Sequence, residues 1–277
     1  MFLEDLKQTI AQNKDENPLF LRSLLKETVL YYILNFISRS KWSEEFLFKG
    51  GTCLRFFFDL PRLSEDLDFD IINYVNFNAN GFVAELKSYF NKTLQFQNVK
   101  LRLANNERTI YLKFPILHDL GFDVKKGESN IFFVRIDFAA AVGKEYKTEI
   151  SIKSTHNFSL LIKRYSIADL FSGKISAILT RQAFEGKTLK ERFKGRDYYD
   201  LLWFLEKKIK PNWAYLKELT KLSKNEILKK IDEKVNELKL TVLESDLLPF
   251  FEDVNFVKNF VKNFKNLFES YKSRLEN

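Results

Sequence analysis

The sequence predicts an α+β protein with a strand-containing N-terminal part and a helical C-terminal part. Apolar residues recur at helical spacing in residues 1–40 and again from Ser166 onward. Between them, short segments within residues 46–154 alternate apolar and polar side chains with the period of two that strands show. We therefore expect an α/β domain over residues 1–160, including its N-terminal helices, and a helical domain over residues 161–277.

Local signals place the elements in chain order. Leu21, Leu25 and Val29 follow Pro18 at near-helical spacing, and Ser166 stands where a helix N-cap is expected. The predicted segments are helices within 1–40, a strand at 46–49, a short helix at 52–60, a strand at 67–72, a helix at 81–91, strands at 109–116, 130–140 and 150–154, and helices beginning near Ser166, Asp197, Ser223 and Leu243.

Cysteine and histidine usage limits the kinds of site that the chain can build. The single Cys53 excludes an internal disulfide and a multi-cysteine zinc site. The two histidines, His118 and His156, lie far apart in the sequence. Any metal ion must therefore be held by carboxylates.

The chain is basic, with a formal net charge of +8 and a pI near 9.2. A polyanionic partner such as a nucleic acid would be attracted by this charge, although a composition rich in Lys and Asn explains it equally well. The N-terminal segment lacks a signal-peptide pattern, and no uncharged apolar run approaches the ~18 residues of a membrane span. We expect a cytoplasmic protein that does not associate with membranes.

A D-x-D motif stands in the segment RLSEDLDFDI (62–71). In a strand, Leu67 and Phe69 would face the core while Asp66 and Asp68 share the opposite face. Two such carboxylates, about 7 Å apart, repel each other unless a cation lies between them, and Mg²⁺ takes oxygen ligands of this kind. The alternative interpretation is a solvated polar strand face.

A Gly-Gly turn precedes this motif. Lys49, Gly50, Gly51 and Thr52 follow an apolar strand and open a helix. Glycines permit positive φ and close backbone approach, and the amides of a helix N-terminus attract phosphate. The turn can therefore hold a triphosphate, or it is an ordinary strand–helix connection.

Four motifs in order give the sequence a family resemblance. They are K-G-G-T-x-L-R from Lys49, R-x-S-x-D-x-D from Arg62, a helical lysine at Lys174 and R-D-x-x-D from Arg196. This order, within residues 20–205, resembles the AbiEii-type nucleotidyltransferase toxins, which include the MenT proteins of type IV toxin–antitoxin systems.

The resemblance implies a polymerase-β-like mixed sheet with an appended helical region. It implies a reaction that transfers a nucleotide from an NTP and requires Mg²⁺ or Mn²⁺. The acceptor would be an RNA, with tRNA the leading candidate, or a protein. The resemblance also implies a cognate antitoxin as partner. The site residues it implies are Gly50, Gly51 and Ser64 on the phosphates, with Lys49 and Thr52 in the same turn, Asp66 and Asp68 on the metal, and Lys174 and Asp197 completing the site.

Several of these residues also have structural interpretations. Lys174 could be an ordinary surface lysine, and Asp197 a helix N-cap. Asp200 could pair with Arg196 or Arg181. Asp137, in a predicted strand, is either a third acid that acts as base or an exposed strand residue.

Two other functions compete with nucleotide transfer to a macromolecule. One is a nucleotidyltransferase for small molecules, although such enzymes usually carry a G-S-x-x-x-G turn. The other is a non-catalytic NTP-binding module that acts through a protein partner, because nothing in the residues alone demands turnover.

Overall fold

The computed structural model describes residues 2–122, 130–185, 188–191 and 193–276, without the side chains of 182–192. The helices are α1 (Phe2–Gln12), α2 (Pro18–Arg39), α3 (Gly50–Phe58), α4 (Ala79–Ser88), α5 (Ile167–Thr180), α6 (Gly195–Glu206), α7 (Trp213–Thr220), α8 (Lys224–Glu237), α9 (Leu240–Leu247), α10 (Val254–Tyr271) and α11 (Ser273–Glu276). The strands are β1 (Phe46–Lys49), β2 (Asp66–Ile71), β3 (Lys100–Ala104), β4 (Thr109–Pro115), β5 (Ile131–Ala140), β6 (Thr148–Ser154), β7 (Ser159–Tyr165), β8 (Gln182–Glu185) and β9 (Thr188–Glu191). Short 3₁₀ turns cover Tyr74–Asn76 and Leu248–Phe250, and a π-helical turn covers Tyr89–Thr93.

The chain forms two compact units, and each is built from separate stretches of sequence. The first unit comprises Met1–Phe57, Leu63–Ala141 and Ile150–Arg164. The second comprises Phe58–Arg62, Val142–Glu149 and Tyr165–Asn277.

A seven-stranded mixed sheet organises the first unit, in the order β3-β4-β5-β2-β1-β7-β6. β2 pairs antiparallel with β1 and parallel with β5. Leu67 and Phe69 of β2 are buried, as their alternation predicts. Their face of the sheet is covered by helices, since Phe82 of α4 contacts Phe46 and Phe138 with ring centroids 5.4 and 5.5 Å apart. The acids of β2 consequently project from the opposite face.

The N-terminal helices of this unit begin where local chemistry favours them. The side chain of Asn17 caps α2 by accepting a hydrogen bond from the Leu19 amide at 2.8 Å, and Pro18 supplies the first turn. α1 packs on α2 through an edge-to-face contact between Phe2 and Tyr32, whose centroids lie 5.0 Å apart.

The second unit is mainly helical. The Ser166 side chain caps α5 by accepting from the Asp169 amide, and the Asp169 carboxylate accepts from the Lys147 amide and from the Ser166 hydroxyl. α5 and α6 stack through Phe171 and Phe204, with centroids 4.3 Å apart. α6 also packs against α9.

The predicted α+β class is confirmed, since the described elements include a seven-stranded mixed sheet and many helices. The predicted strands and helices are present within a few residues of their expected bounds, but β3, β7, the β8–β9 pair and α7 were not predicted. None of the helices in the described ranges combines the length and apolar character that a bilayer crossing requires.

Candidate functional site

The Gly-Gly turn brings a carboxylate close to the start of a helix. β1 ends at Lys49 and α3 begins at Gly50, whose φ is +81°. A Cβ atom at Gly50 would lie 2.1 Å from Oδ2 of Asp68. Position 50 therefore requires glycine for two reasons: its backbone has a positive φ, and the Asp68 carboxylate leaves no space for a Cβ atom. The unpaired amides at a helix N-terminus favour the negative charge placed there.

Thr52 and Ser64 connect the turn to the D-x-D strand. Thr52 is fully buried, and its Oγ1 lies 2.8 Å from Ser64 Oγ and within hydrogen-bond distance of the Asp66 carbonyl. These contacts join the first turn of α3 to the beginning of β2. Ser64 and Gly51 are buried as well.

The register between β2 and β5 gathers three acids. Asp66 lies opposite Arg135, and Asp68 lies opposite Asp137. Arg135 pairs with Asp66 at 2.6 Å and with Asp137 at 2.9 Å. Burial lowers the pKa of Arg135, but Asp66, Asp137 and Asp68 outweigh it and raise the pKa above its usual value, so the guanidinium stays charged.

Asp137 is thus not an isolated strand residue. In addition to its ion pair with Arg135, its Oδ1 accepts a hydrogen bond of 2.8 Å from Thr109. Two partners hold its carboxylate beside the D-x-D motif. On the other side, Lys49 pairs with Asp70 at 2.5 Å.

The donor set suits a hard cation that shares its shell with a substrate. Within the described ranges, no group of three or more His, Cys, Asp or Glu side chains is arranged to hold a metal by itself. Asp66 and Asp68 nevertheless offer two carboxylates on one strand face, and no hydrogen bond or ion pair of the described residues engages Asp68. Mg²⁺ is commonly held in this way, by one or two carboxylates with phosphate oxygens and water completing the octahedron.

A second ionic cluster lies in the second unit. Arg62 and Asp200 are almost fully buried and form a bidentate pair with distances of 2.6 and 2.7 Å. Lys174 lies 2.9 Å from Asp197 and 2.7 Å from Asp200. Arg181 closes the cluster with a 2.9 Å contact to Asp197.

These contacts correct three structural interpretations. Lys174 is not a surface lysine, since its side chain is 13% exposed and lies between two carboxylates. Asp197 does not cap α6, because the N-cap is Lys194 and Asp197 lies within the first turn. Asp200 pairs with Lys174 and Arg62, whereas Arg181 pairs with Asp197.

Burial and charge act in opposite directions on the pKa values of this cluster. Burial raises the pKa of Asp197, but Lys174, Arg181 and Lys194 outweigh it and hold the pKa well below its usual value. Burial lowers the pKa of Lys174, but Asp197 and Asp200 raise it above the usual value. Both groups are therefore charged at neutral pH.

Lys194 behaves differently. Burial, followed by repulsion from Arg196, lowers its pKa to about 8. This lysine stands at the N-cap of α6, where the helix dipole also disfavours a positive charge.

Sequence reasoning missed the roles of Arg62, Arg135 and Lys194. Arg135 shares a strand face with Asp137 by simple alternation, so its pairing could have been inferred once β5 was set beside β2. Arg62 and Asp200 are 138 residues apart, and nothing in either local pattern points to the other.

Comparison with known proteins assigns the chain to a family. The model of the family described as "Nucleotidyl transferase AbiEii toxin, Type IV TA system" matches residues 32–270. MenT4, a nucleotidyltransferase toxin from Mycobacterium tuberculosis H37Rv, has a similar fold (TM-score 0.55, 13% identity, covering 97% of this chain and 93% of that chain). JHP933 from Helicobacter pylori gives a TM-score of 0.46 at 16% identity and covers 92% of this chain and 93% of that chain. No curated protein matches the chain. The family match spans most of the molecule, so this chain belongs to the AbiEii nucleotidyltransferase toxin family of type IV toxin–antitoxin systems.

Proposed function

We propose that the chain transfers a nucleotide from an NTP to a hydroxyl of an RNA acceptor, with tRNA the first candidate and a protein hydroxyl the second. The observation that carries the proposal is the meeting of Asp66, Asp68 and Asp137 on adjacent strands, with Asp68 against the Gly50 turn. Carboxylates at a helix start that can also receive phosphate form a typical setting for phosphoryl transfer.

In this proposal the NTP phosphates lie along the Gly50–Gly51 turn. The N-terminal amides of α3, the Ser64 hydroxyl and the Lys49 ammonium group donate to phosphate oxygens. Thr52 keeps the turn in register with β2 through its contacts to Ser64 and Asp66. The chain thereby fixes the phosphates before any reaction starts.

Asp66 and Asp68 would hold a divalent cation, Mg²⁺ or Mn²⁺, which neutralises charge on the phosphates when bound. Asp137 receives the proton as the acceptor oxygen attacks the α-phosphorus. The new O–P bond forms while the bond to the β-phosphate oxygen breaks, and pyrophosphate leaves. Arg135 holds the Asp66 and Asp137 carboxylates in position through its two ion pairs.

Lys174 and Asp197 are assigned to the same activity by the family resemblance, and we retain that assignment as part of the proposal. Their own unit supports it in one respect. Lys174 is held charged and oriented by Asp197 and Asp200, an arrangement that a lysine needs when it acts as a fixed cation.

The formal charge of +8 supports a polyanionic acceptor over a neutral one. We also propose a cognate antitoxin as protein partner, since the family belongs to toxin–antitoxin systems, and an NTP as co-substrate. The small-molecule and non-catalytic alternatives predict different outcomes of the same experiment.

The test is label transfer from each α-labelled NTP to total tRNA in the presence of Mg²⁺. We expect labelled tRNA with the wild-type chain and a loss of at least about 100-fold with Asp68→Asn, because the cation that offsets the phosphate charge then loses one of its two carboxylates. Glu65→Gln is the matched control, since Glu65 is a neighbouring acid that pairs with Lys26 at 2.5 Å.

The outcomes separate the candidate functions. Labelling of small hydroxyl compounds without labelling of tRNA would replace the proposal by the small-molecule activity. NTP binding without pyrophosphate release would indicate the non-catalytic module. Equal activity of Asp68→Asn and Glu65→Gln would contradict the proposed site.

A further inference from the structure

A pocket of about 670 Å³ lies in the first unit, among α2, α4, the π-helical turn and the β6–β7 connection. It lies among the helices that cover the apolar face of the sheet, whereas Asp66, Asp68 and Asp137 project from the opposite face. Its volume is in the range of small-molecule sites. It is therefore separate from the carboxylate site.

One wall of the pocket contains a polar atom without a partner. Asn35 is only 7% exposed and lines the pocket, and its Nδ2 donates to the Tyr89 hydroxyl at 3.1 Å. Its Oδ1 is buried and accepts no hydrogen bond. An acceptor without a donor is costly, and a ligand that brings an N–H or O–H group reaches this buried oxygen when the Asn35 side chain turns toward the pocket.

The same pocket offers an aromatic surface. Tyr89 and Phe36 both line it, with ring centroids 5.4 Å apart and planes inclined by 36°. Tyr89 stands at the start of the π-helical turn, a rare distortion that is often found at functional sites. A planar ring can stack on these side chains beside the free oxygen of Asn35.

The rim of the pocket is positively charged. Arg39 and Lys92 line it, are exposed, and make no ion pair with any described residue. Glu85, an acidic lining residue, is neutralised by Lys41 at 2.7 Å and bonded by Trp42 Nε1 at 3.1 Å. The unpaired charge at the rim favours an anionic group on the ligand.

We propose that this pocket is a second binding site for one nucleotide unit. The base stacks on Tyr89 and donates to Oδ1 of Asn35 after that side chain turns toward the pocket, and the phosphate contacts Arg39 and Lys92. A free mononucleotide and a nucleotide within an RNA strand share this chemistry. The proposal does not rest on the proposed transfer reaction, because its residues and those of the carboxylate site are different.

The test is calorimetric titration of the full-length chain carrying Asp68→Asn, without divalent metal, to disfavour binding at the carboxylate site. The probes are the four nucleoside monophosphates, adenosine, inorganic phosphate and short oligoribonucleotides. We expect saturable binding of at least one monophosphate or oligomer, and much weaker binding of adenosine or phosphate alone. Binding by oligomers only would identify RNA as the source, and binding by a monophosphate would identify the free nucleotide.

Two variants connect this binding to the pocket. Arg39→Gln with Lys92→Gln should raise the Kd roughly tenfold, because charge-assisted contacts to phosphate are lost. Lys87→Gln with Lys100→Gln is the matched control, since both lysines are exposed outside the pocket lining and remove the same charge. Asn35→Leu should abolish discrimination among bases, with circular dichroism confirming its fold. Absence of saturable binding, or equal loss in the pocket and control pairs, would overturn the proposal.

Discussion

At the scale of single residues, Gly50 connects the conformation of the chain to the position of a charge. Its positive φ and the carboxylate that fills its Cβ position are independent reasons for glycine. The Gly-Gly pattern alone predicted a turn with positive φ, but the carboxylate that excludes a side chain comes from a strand eighteen positions further along the sequence, Asp68. Local sequence therefore predicted the shape of the turn and left its neighbour undetermined.

Replacement of Gly50 by alanine should lower stability by about 1–3 kcal/mol, because the left-handed backbone is strained and the new Cβ displaces Asp68. The nucleotide-transfer activity should fall with it. Gly173→Ala is the control, since Gly173 lies within α5 and nothing lies within 4 Å of its added Cβ. We expect that control to gain about 0.5–1 kcal/mol in urea unfolding. An unchanged Gly50→Ala protein would show that position 50 is not under this constraint.

Lys194 should make stability depend on pH in the alkaline range. Its folded pKa of about 8 lies below the unfolded value near 10.4, so the unfolded chain binds more protons between these values. The penalty of the buried charge is therefore present below pH 8 and disappears as the pH rises toward 10.4. Lys194→Met should be more stable than wild type by roughly 1–3 kcal/mol at pH 7 and by much less at pH 10.

Urea unfolding at both pH values measures this difference, with Lys207→Met, an exposed lysine at the C-cap of the same helix, as the control. A Lys194→Met difference that stays constant with pH would contradict the burial of this charge.

At the scale of elements, the positions of the acidic side chains follow from strand geometry. Alternation in β2 and β5 predicted which side chains share a face, and the burial of Leu67, Phe69, Val134 and Ile136 agrees with it. The β2–β5 register, which sets Asp68 beside Asp137, was not accessible from the sequence. Pairing between strands more than sixty positions apart depends on the whole sheet, and no local signal specifies it.

The ionic cluster in the second unit, which joins Arg62, Lys174, Arg181, Asp197 and Asp200, should contribute strongly to stability. Arg62→Met leaves Asp200 buried with one fewer cation, and Asp200→Asn removes the acceptor of both Arg62 and Lys174. We expect each single change to cost about 3 kcal/mol, and the double variant to cost clearly less than their sum.

A double-mutant cycle in urea unfolding measures this coupling. The exposed pair of Lys229 and Glu233, 3.9 Å apart on α8, is the control and should couple by no more than about 0.5 kcal/mol. Additive costs at Arg62 and Asp200 would show that the bidentate pair does not act as a unit.

The same cluster sets an acid limit. Burial raises the pKa of Asp200, but the charges of Arg62 and Lys174 lower it by more than burial raises it. The folded pKa of Asp200 therefore lies below the unfolded value near 3.9. Its contribution to stability is complete above pH 4 and is lost as the pH falls through the folded pKa.

At the scale of the whole molecule, charge should govern the association with RNA. A basic protein that neutralises several phosphates releases counterions, so its affinity falls steeply with salt. Raising monovalent salt from about 50 to 200 mM should weaken tRNA binding by roughly tenfold or more. Filter binding measures this affinity. An affinity that did not change with salt concentration would contradict an electrostatic interface.

The sequence predicted the overall class well, because periodicity and composition report on whole segments. It predicted less of the second unit, where the ionic cluster joins residues from the α3–β2 connection, α5 and α6. Such clusters depend on how distant segments pack, and individual motifs such as R-D-x-x-D do not show which partners they will meet.

The short stretch Phe58–Arg62 belongs to the second unit although the chain before and after it belongs to the first. If the protein is expressed as two separate pieces, the piece that contains the second unit must therefore also be supplied with Phe58–Arg62. A C-terminal piece made alone would lack the guanidinium that Asp200 needs in its interior, so its folding would be impaired until the missing stretch were supplied. We expect the C-terminal piece to fold when it is co-expressed with the piece that carries Phe58–Arg62.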